Sequence, residues 1–291
     1  MLNGFINLYK SPQMTSNRAL SILKRALKQN NISTKVGHFG TLDPMAEGVL
    51  PVALGRATRL FDYSLDKIKK YRASFQFGVS TDTLDITGKV VGEGRKDVSE
   101  LEIMAVLPSL VGEVMQVPPA YSAKSIGGQR AYKLARNGEE FELPAKIVTI
   151  YSIEFIEKKQ DNFVFDITCG GGTYIRSIVR DMASLLGTVG IMTKLVRLSS
   201  GKFDITNSVN IDDLPDNIED IILPMDFLLD DFESYYIDED RYFRFKNGLF
   251  VPLIDNDSPE ERFVKILAPD NLLMGIGEIK DNTVGMKTWL I

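Results

Sequence analysis

The chain has 291 residues, 44% of them hydrophobic, and a net charge of −5, so its length points to one large domain with a small appendage. It contains no run of about 18 apolar residues, and its N-terminus lacks the charged, apolar and small-residue pattern of a secretory signal, so a cytoplasmic protein without a membrane role is expected. Cys169 is the only cysteine and His38 the only histidine, which excludes an internal disulfide and a Cys/His zinc site. With no G-x-S-x-G elbow, serine chemistry is a poor fit too, and no metal is expected. The charge is unevenly spread. Residues 203–240 hold thirteen Asp/Glu and no Lys/Arg, residues 241–291 seven of each sign, and residues 1–202 carry 27 Lys/Arg against 19 Asp/Glu, a net of +8. A basic body beside an acidic segment suits a protein that presents one face to phosphate, and an ordinary solvated surface accounts for it equally well.

In chain order, residues 16–30 set Ala19, Leu20, Leu23 and Leu27 at helical spacing behind Thr15 or Ser16 as N-cap, with Arg18, Lys24, Arg25 and Lys28 on the other face. An aspartate before a proline is pushed away from helical geometry, so Asp43 projects from a glycine-rich loop that also carries His38. Residues 71–79 alternate, with Tyr71, Ala73, Phe75, Phe77 and Val79 on one face, and predict a half-buried strand. Ser99 and Glu102 form a capping box for a helix to about Leu107, which Pro108 interrupts. Residues 118–145 begin Pro-Pro-Ala-Tyr, contain Gly127-Gly128, and gather Lys124, Arg130, Lys133 and Arg136 around Tyr121 and Tyr132, with a short helix predicted over 129–137 and closed by Gly138. Cations interleaved with aromatics suit RNA, and a plain surface insertion is the alternative. Residues 147–158 and 162–169 read as paired strands, and 173–186 as a helix ended by Gly187. From about residue 235 onward, including Phe243-Arg244-Phe245-Lys246-Asn247-Gly248 and Gly275-Ile276-Gly277-Glu278, the pattern alternates in β fashion. Mixed strands and helices with hairpin-length connections favour an α+β fold over a doubly wound sheet.

Six segments occur in one order: Gly37-His38-Phe39-Gly40-Thr41-Leu42-Asp43-Pro44, Lys70-Tyr71-Arg72, Ser80-Thr81-Asp82-Thr83-Leu84-Asp85, Pro118-Pro119-Ala120-Tyr121-Ser122-Ala123, Gly172-Thr173-Tyr174-Ile175-Arg176 and Leu195-Val196-Arg197-Leu198. Together they resemble the TruB family of tRNA pseudouridine synthases over most of residues 1–230. The resemblance implies a central mixed, mostly antiparallel sheet flanked by helices and loops. It implies a catalytic domain over residues 1–232, with an RNA-binding insertion at about 118–145, and a small PUA-like RNA-binding domain over residues 233–291. It makes Asp43 the catalytic nucleophile and Arg176 the cation that keeps it ionised, since guanidinium can pair a carboxylate at two points. Tyr71 would stack on the flipped uracil and act as acid or base for the sugar proton that must move. Tyr174 and Leu198 would wall the site, and His38 would contact substrate, with proton transfer a lesser role. Asp85 would order the site or bind RNA, with a turn aspartate as its equal rival, while Lys124, Arg130, Lys133 and Arg136 would meet RNA.

The implied substrate is the T arm of tRNA with uridine 55 as target, and the implied enzyme is the stand-alone bacterial type, a monomer with no obligatory protein partner. The isomerisation is redox-neutral and needs no cofactor, in keeping with the lack of a G-x-G-x-x-G or P-loop signature. Phe39, Glu47 and Gly170-Gly171 depart from the family's usual pattern, and Glu47 would add negative charge beside Asp43. Two other classes compete. One is an RNA chaperone or binding module without turnover, and the other a magnesium-dependent aspartate phosphatase using the Asp82 to Asp85 stretch.

Overall fold

In the computed structural model, which describes residues 2–63, 68–122, 124–126, 128–139, 141–253 and 260–291, the chain opens with strand β1 (Gly4–Lys10), helix α1 (Ser16–Gln29), and strands β2 (Val36–His38) and β3 (Glu47–Leu54). A 3-10 segment (Gly55–Tyr63) leads to β4 (Lys69–Phe77) and a small hairpin of β5 (Val79–Thr81) and β6 (Val90–Glu93). Helix α2 (Glu100–Val106), β7 (Gly112–Gln116), the short pair β8 (Ser125–Ile126) and β9 (Gln129–Arg130), and α3 (Ala131–Arg136) follow. Next come β10 (Lys146–Lys159), β11 (Asn162–Cys169), α4 (Ile175–Leu185), β12 (Gly190–Ser200), β13 (Phe203–Asp204) and β14 (Val209–Asn210). The chain finishes with β15 (Ser234–Tyr236), α5 (Glu239–Lys246), β16 (Val251–Pro252), β17 (Arg262–Leu267), β18 (Leu273–Lys280) and β19 (Thr283–Trp289).

The main sheet runs β14-β1-β3-β12-β4-β11-β10-β7, with β2 on β3 and β13 on β12. Pairings β1–β14 and β3–β12 are parallel and the others antiparallel, the mixed sheet of the expected α+β fold. On β4, Tyr71, Ala73, Phe75 and Phe77 are buried. The strand stops there because Gly78 turns at φ 91°, where a Cβ would meet Lys96 at 2.3 Å, so Val79 opens a new hairpin instead of extending the buried face. Helix α1 buries Ala19, Leu20, Leu23 and Leu27 in the core and is capped by Thr15, which accepts from the Arg18 N–H. Each of those leucines contributes on the order of 1.5–3 kcal/mol.

Helix α2 carries the capping box of Ser99 and Glu102. Pro108 does not end the helical path but tightens it into a 3-10 turn (Leu107–Leu110), since its missing N–H is not needed at the start of that turn. Helix α4 begins two residues later than the pattern suggests. Tyr174 is extended, and the Thr173 hydroxyl donates to Gly170 O at 3.0 Å, holding a turn ahead of it. In the insertion, Gln129 and Arg130 pair with β8 rather than opening the helix, and the Ala131 N–H closes this hairpin on Lys124 O at 2.8 Å. Ala123, Gly127 and Glu140 lie outside the described residues.

The C-terminal sheet runs β15-β17-β18-β19-β16. Gly275 to Glu278 is strand, as expected, but Phe243 to Lys246 is helical. Asp238 caps that helix from Arg241 N, Glu239 and Asp240 sit in its first turn, Arg244 and Lys246 in its last, and Gly248 follows at φ 73°. Those end signals outweigh a short stretch of alternation. Phe245, Val264, Ile266, Met274 and Val284 fill the core of this unit. Ile276 and Leu290 join Phe5, Val49 and Leu229 of the main body in a second cluster. Among the described residues, no helix is long and apolar enough to cross a membrane.

Candidate active site

The loop between β2 and β3 is fastened from both ends. Ser16, at the start of α1, accepts from the Leu42 N–H at 3.0 Å and donates to Leu42 O at 3.2 Å. Lys10, fully buried at the end of β1, donates Nζ to Met14 O at 2.8 Å, Ser11 O at 3.0 Å and Pro44 O at 3.4 Å. Burial brings the Lys10 ammonium down to about 8 against the pull of Asp43 and Glu47. Asp43 closes its own turn by accepting from the Ala46 N–H at 3.1 Å. Its carboxylate remains 33% exposed and lines a cleft of about 310 Å³.

Arg176, on the first turn of α4, meets it there. The guanidinium donates Nη2 to Asp43 Oδ1 at 3.0 Å, and its Nε stands 2.9 Å from Oδ2. It also donates to Thr83 O and Tyr121 O, each at 3.0 Å, and Nη1 lies 3.8 Å from Asp85 Oδ2. One 5%-exposed arginine thus ties the aspartate loop, the 82–89 turn and the root of the insertion together. Burial raises the Asp43 carboxyl above the usual carboxylate range; Arg176 and Lys10 pull it down and Asp85 pushes it up. The expected neighbour Glu47 is engaged elsewhere, 3.0 Å from Lys194 and hydrogen-bonded to Tyr9. Asp85, not Glu47, is the second carboxylate felt by Asp43.

Tyr71, on β4, and Tyr174, the residue before α4, line the same cleft. Burial raises both phenols, and Arg197 opposes the rise at Tyr71 while Ser122 opposes it at Tyr174. Asp43, Tyr71, Arg176 and Tyr174 are therefore brought together, from three distant parts of the chain. Leu198 is not. Leu195 and Arg197, two residues apart on β12 and paired with Ala73 and Tyr71 of β4, face the cleft, while Leu198 falls in the irregularity that follows Arg197, so Leu195 takes the wall position expected of Leu198. His38 ends β2 opposite Val52 and stays off the cleft wall, half-buried, with Nδ1 buried and unpartnered. Burial, then Arg197, lowers its pKa and keeps the imidazole neutral.

Of the roles expected of Asp85, ordering the site or binding RNA, its surroundings favour the first. Asp85 is 4% exposed and accepts from Thr83 Oγ1, the Thr87 N–H and the Thr87 hydroxyl behind Arg176. Phe39 packs edge-on against Phe5 and Phe61, so its departure from the usual pattern serves the core. In the insertion, Arg130, Lys133 and Arg136 are exposed, Arg136 lies 5.7 Å over the Tyr132 ring, and Lys124 is held below the usual lysine range by its contact with Lys146. Tyr121, Lys69, Leu195 and Arg197 also line the cleft, and sequence pattern alone does not mark Tyr121, Leu195 or Arg197 as wall residues. A signal for Lys69 exists, since it stands two residues before Tyr71 on one strand face. Among the described residues, no group of three or more His, Cys, Asp or Glu is placed to hold a metal ion.

Comparison with known proteins bears on this arrangement. Residues 24–175 match the TruB family pseudouridylate synthase N-terminal domain, and residues 176–230 match the tRNA pseudouridylate synthase B C-terminal domain. The tRNA pseudouridine synthase B of Alkaliphilus oremlandii is 42% identical over 230 residues, 78% of this chain and 76% of that protein. That of Clostridium tetani is 37% identical over 289 residues, 99% and 96% of the two chains. Among solved structures, a crystal structure of a Cbf5-Nop10-Gar1 complex superposes with a TM-score of 0.70 at 26% identity, covering 98% of this chain and 83% of that one. Both family segments meet at the boundary between Ile175 and Arg176, inside the cleft itself, and the chain belongs to the TruB family of tRNA pseudouridine synthases.

Proposed function

We propose that the enzyme converts uridine 55 in the T loop of tRNA to pseudouridine by drawing that nucleotide into the cleft, with Asp43 as nucleophile. The observation that carries this reading is the two-point contact of Arg176 with Asp43 at the cleft wall. The guanidinium offsets the burial that would otherwise neutralise the acid. In the reaction the N1–C1′ bond breaks, a C5–C1′ bond forms, the hydrogen on C5 leaves as a proton and N1 gains one, so nothing external is consumed. An ionised Asp43 oxygen can hold either the sugar or the base covalently while the glycosidic bond is open. Tyr71 stacks on the uracil and, since the C5 hydrogen must leave as a proton, serves as acceptor for that proton rather than for the sugar proton first expected, and Tyr174 and Leu195 enclose base and ribose.

Extruding a base from a loop costs a few kcal/mol, and ring stacking offsets about 1–3 of these. Phosphate contacts from the insertion, where Lys124 adjoins Lys146 and Arg130, Lys133 and Arg136 face solvent, supply further binding. The domain reading, 1–232 catalytic and 233–291 PUA-like, is supported by Phe232 packing in the main-body cluster while Tyr235 belongs to the core of the C-terminal sheet.

The test is pseudouridine mapping in an unmodified tRNA transcript incubated with the purified chain alone. The expected result is a single modified site at position 55, monomeric protein throughout, and unchanged activity in excess EDTA. Modification elsewhere in the tRNA, or a strict need for a guide RNA or partner protein, overturns the proposal.

A further inference from the structure

The proposed isomerisation removes a proton from carbon and gives Tyr71 the task of receiving it, yet a neutral phenol is no base. A phenol ionises near pH 10 in water, and a 7%-exposed one is harder still to ionise. Something in the cleft must favour the phenolate.

Arg197 is built for this. It sits directly across from Tyr71 in the pairing of β12 with β4, is 1% exposed, and lines the same cleft. Its guanidinium donates Nε to Val49 O at 2.6 Å and Nη2 to Gly40 O at 3.1 Å, and its charge favours ionisation of the Tyr71 phenol beside it. Its hydrogen-bond partners are thus two neutral carbonyls, and among the described residues no carboxylate pairs with it. A buried cation without a carboxylate is costly to keep, and a structural role in bridging carbonyls does not require the charge. The fold nonetheless leaves room for it: Gly40, at φ 99°, has no Cβ, which would lie 3.5 Å from Arg197 Nη1. The other charged or titratable groups around Tyr71 are Asp43 from the loop and Cys169 from β11, which oppose its ionisation, together with Lys69 on its own strand and Tyr174 and Arg176 at the start of α4, all on the cleft wall. The cleft's other buried arginine, Arg176, is committed to Asp43.

We propose that Arg197 is a positioning residue for the isomerisation, whose buried charge offsets the burial of Tyr71 and favours the phenolate that takes the proton from C5 of the rejoined base. In that step the C5–H bond breaks, its electron pair restores the C5=C6 double bond, and the proton passes to the Tyr71 oxygen. The proposal rests on the isomerase reading of the cleft.

Single-turnover release of tritium from a tRNA transcript carrying 5-tritiated uridine reads this step. Arg197→Gln is expected to bind transcript within about twofold of the parent, to release tritium at least about tenfold more slowly at pH 7, and to need a pH about one unit higher to reach its plateau, as a one-unit rise in the phenol's pKa dictates. In a Tyr71→Phe background the same change should slow nothing further. If Arg197→Gln does not fold, Arg197→Lys with 3-fluorotyrosine at position 71 decides, because the more acidic phenol should recover part of the missing rate. An unshifted pH profile, equal slowing in the Tyr71→Phe background, or no recovery by fluorotyrosine overturns the proposal and leaves Arg197 a scaffold. Failure of the parent enzyme to release tritium would instead refute the isomerase reading itself.

Discussion

The cations of the cleft and those of the insertion share a charge and little else. Arg176 and Arg197 are 5% and 1% exposed, each fixed by several hydrogen bonds to backbone or carboxylate. Arg130, Lys133 and Arg136 stand in solvent on a short hairpin and a six-residue helix. In the cleft, low dielectric makes each charge count and fixed geometry spares reorganisation, so a cation there can set the ionisation of a neighbour. On the insertion, water and salt screen each charge, so it contributes to affinity through phosphate contacts in a graded, salt-dependent way.

The contrast predicts the size of each mutational effect. Arg176→Ala removes the cation between Asp43 and Asp85, and the rate constant for modification should fall by about 10²–10³ or more, with a lower melting temperature, in single-turnover kinetics and calorimetry. A decrease under tenfold would mean that Arg176 is not the group that sustains Asp43. Acidification should come next. Because burial raises the Asp43 carboxyl and the proposed reaction needs its charged form, the rate should be present above that raised pKa and disappear as pH falls through it, at a pH above the ordinary carboxylate range. Asp85→Asn should shift this acid limb to lower pH, since Asp85 contributes to the rise, and should slow the enzyme moderately with little change in KM. An unmoved limb would detach Asp85 from Asp43.

Smaller effects belong to the insertion. Lys133→Ala and Arg136→Ala should leave the saturated rate intact and weaken tRNA binding at low salt. Removing one lysine or arginine that meets a phosphate should reduce the slope of log affinity against log salt by about 0.7–0.9, and an unchanged slope would place the RNA elsewhere. The smallest expected effect is at Leu198, where replacement by alanine should leave the rate within about twofold, whereas Leu195→Ala, on the cleft wall, should be clearly slower.

Much of this was legible in the chain. The alternation through Tyr71, the capping box at Ser99, the helix at 16–30 and the proline after Asp43 are local signals, and local geometry followed them. The pairing of Asp43 with Arg176 was legible only through the order of family motifs, because 133 residues separate the two. What escaped depended on non-local geometry. Leu195 rather than Leu198 shares the cleft face with Arg197 by plain strand alternation, but only the pairing of β12 with β4 shows that this face is the one lining the cleft. In sequence Asp85 reads as a residue ordering the site, but that its partner there is Arg176 appears only when α4 arrives behind it. Arg197 belongs to one of the family segments, but only the sheet sets it across from Tyr71. At the C-terminus the reverse held, because the signals at Asp238 and Gly248 were in the sequence and the alternation of Phe243 and Phe245 obscured them.

The central claim is that an ionised Asp43, held by Arg176, acts on a uridine of tRNA. Asp43→Asn preserves shape and removes only the charge, so the direct measurement is pseudouridine formation by this variant alongside its affinity for a T-arm hairpin. The account predicts retained binding and no detectable pseudouridine; formation at a rate near that of the parent enzyme would contradict it.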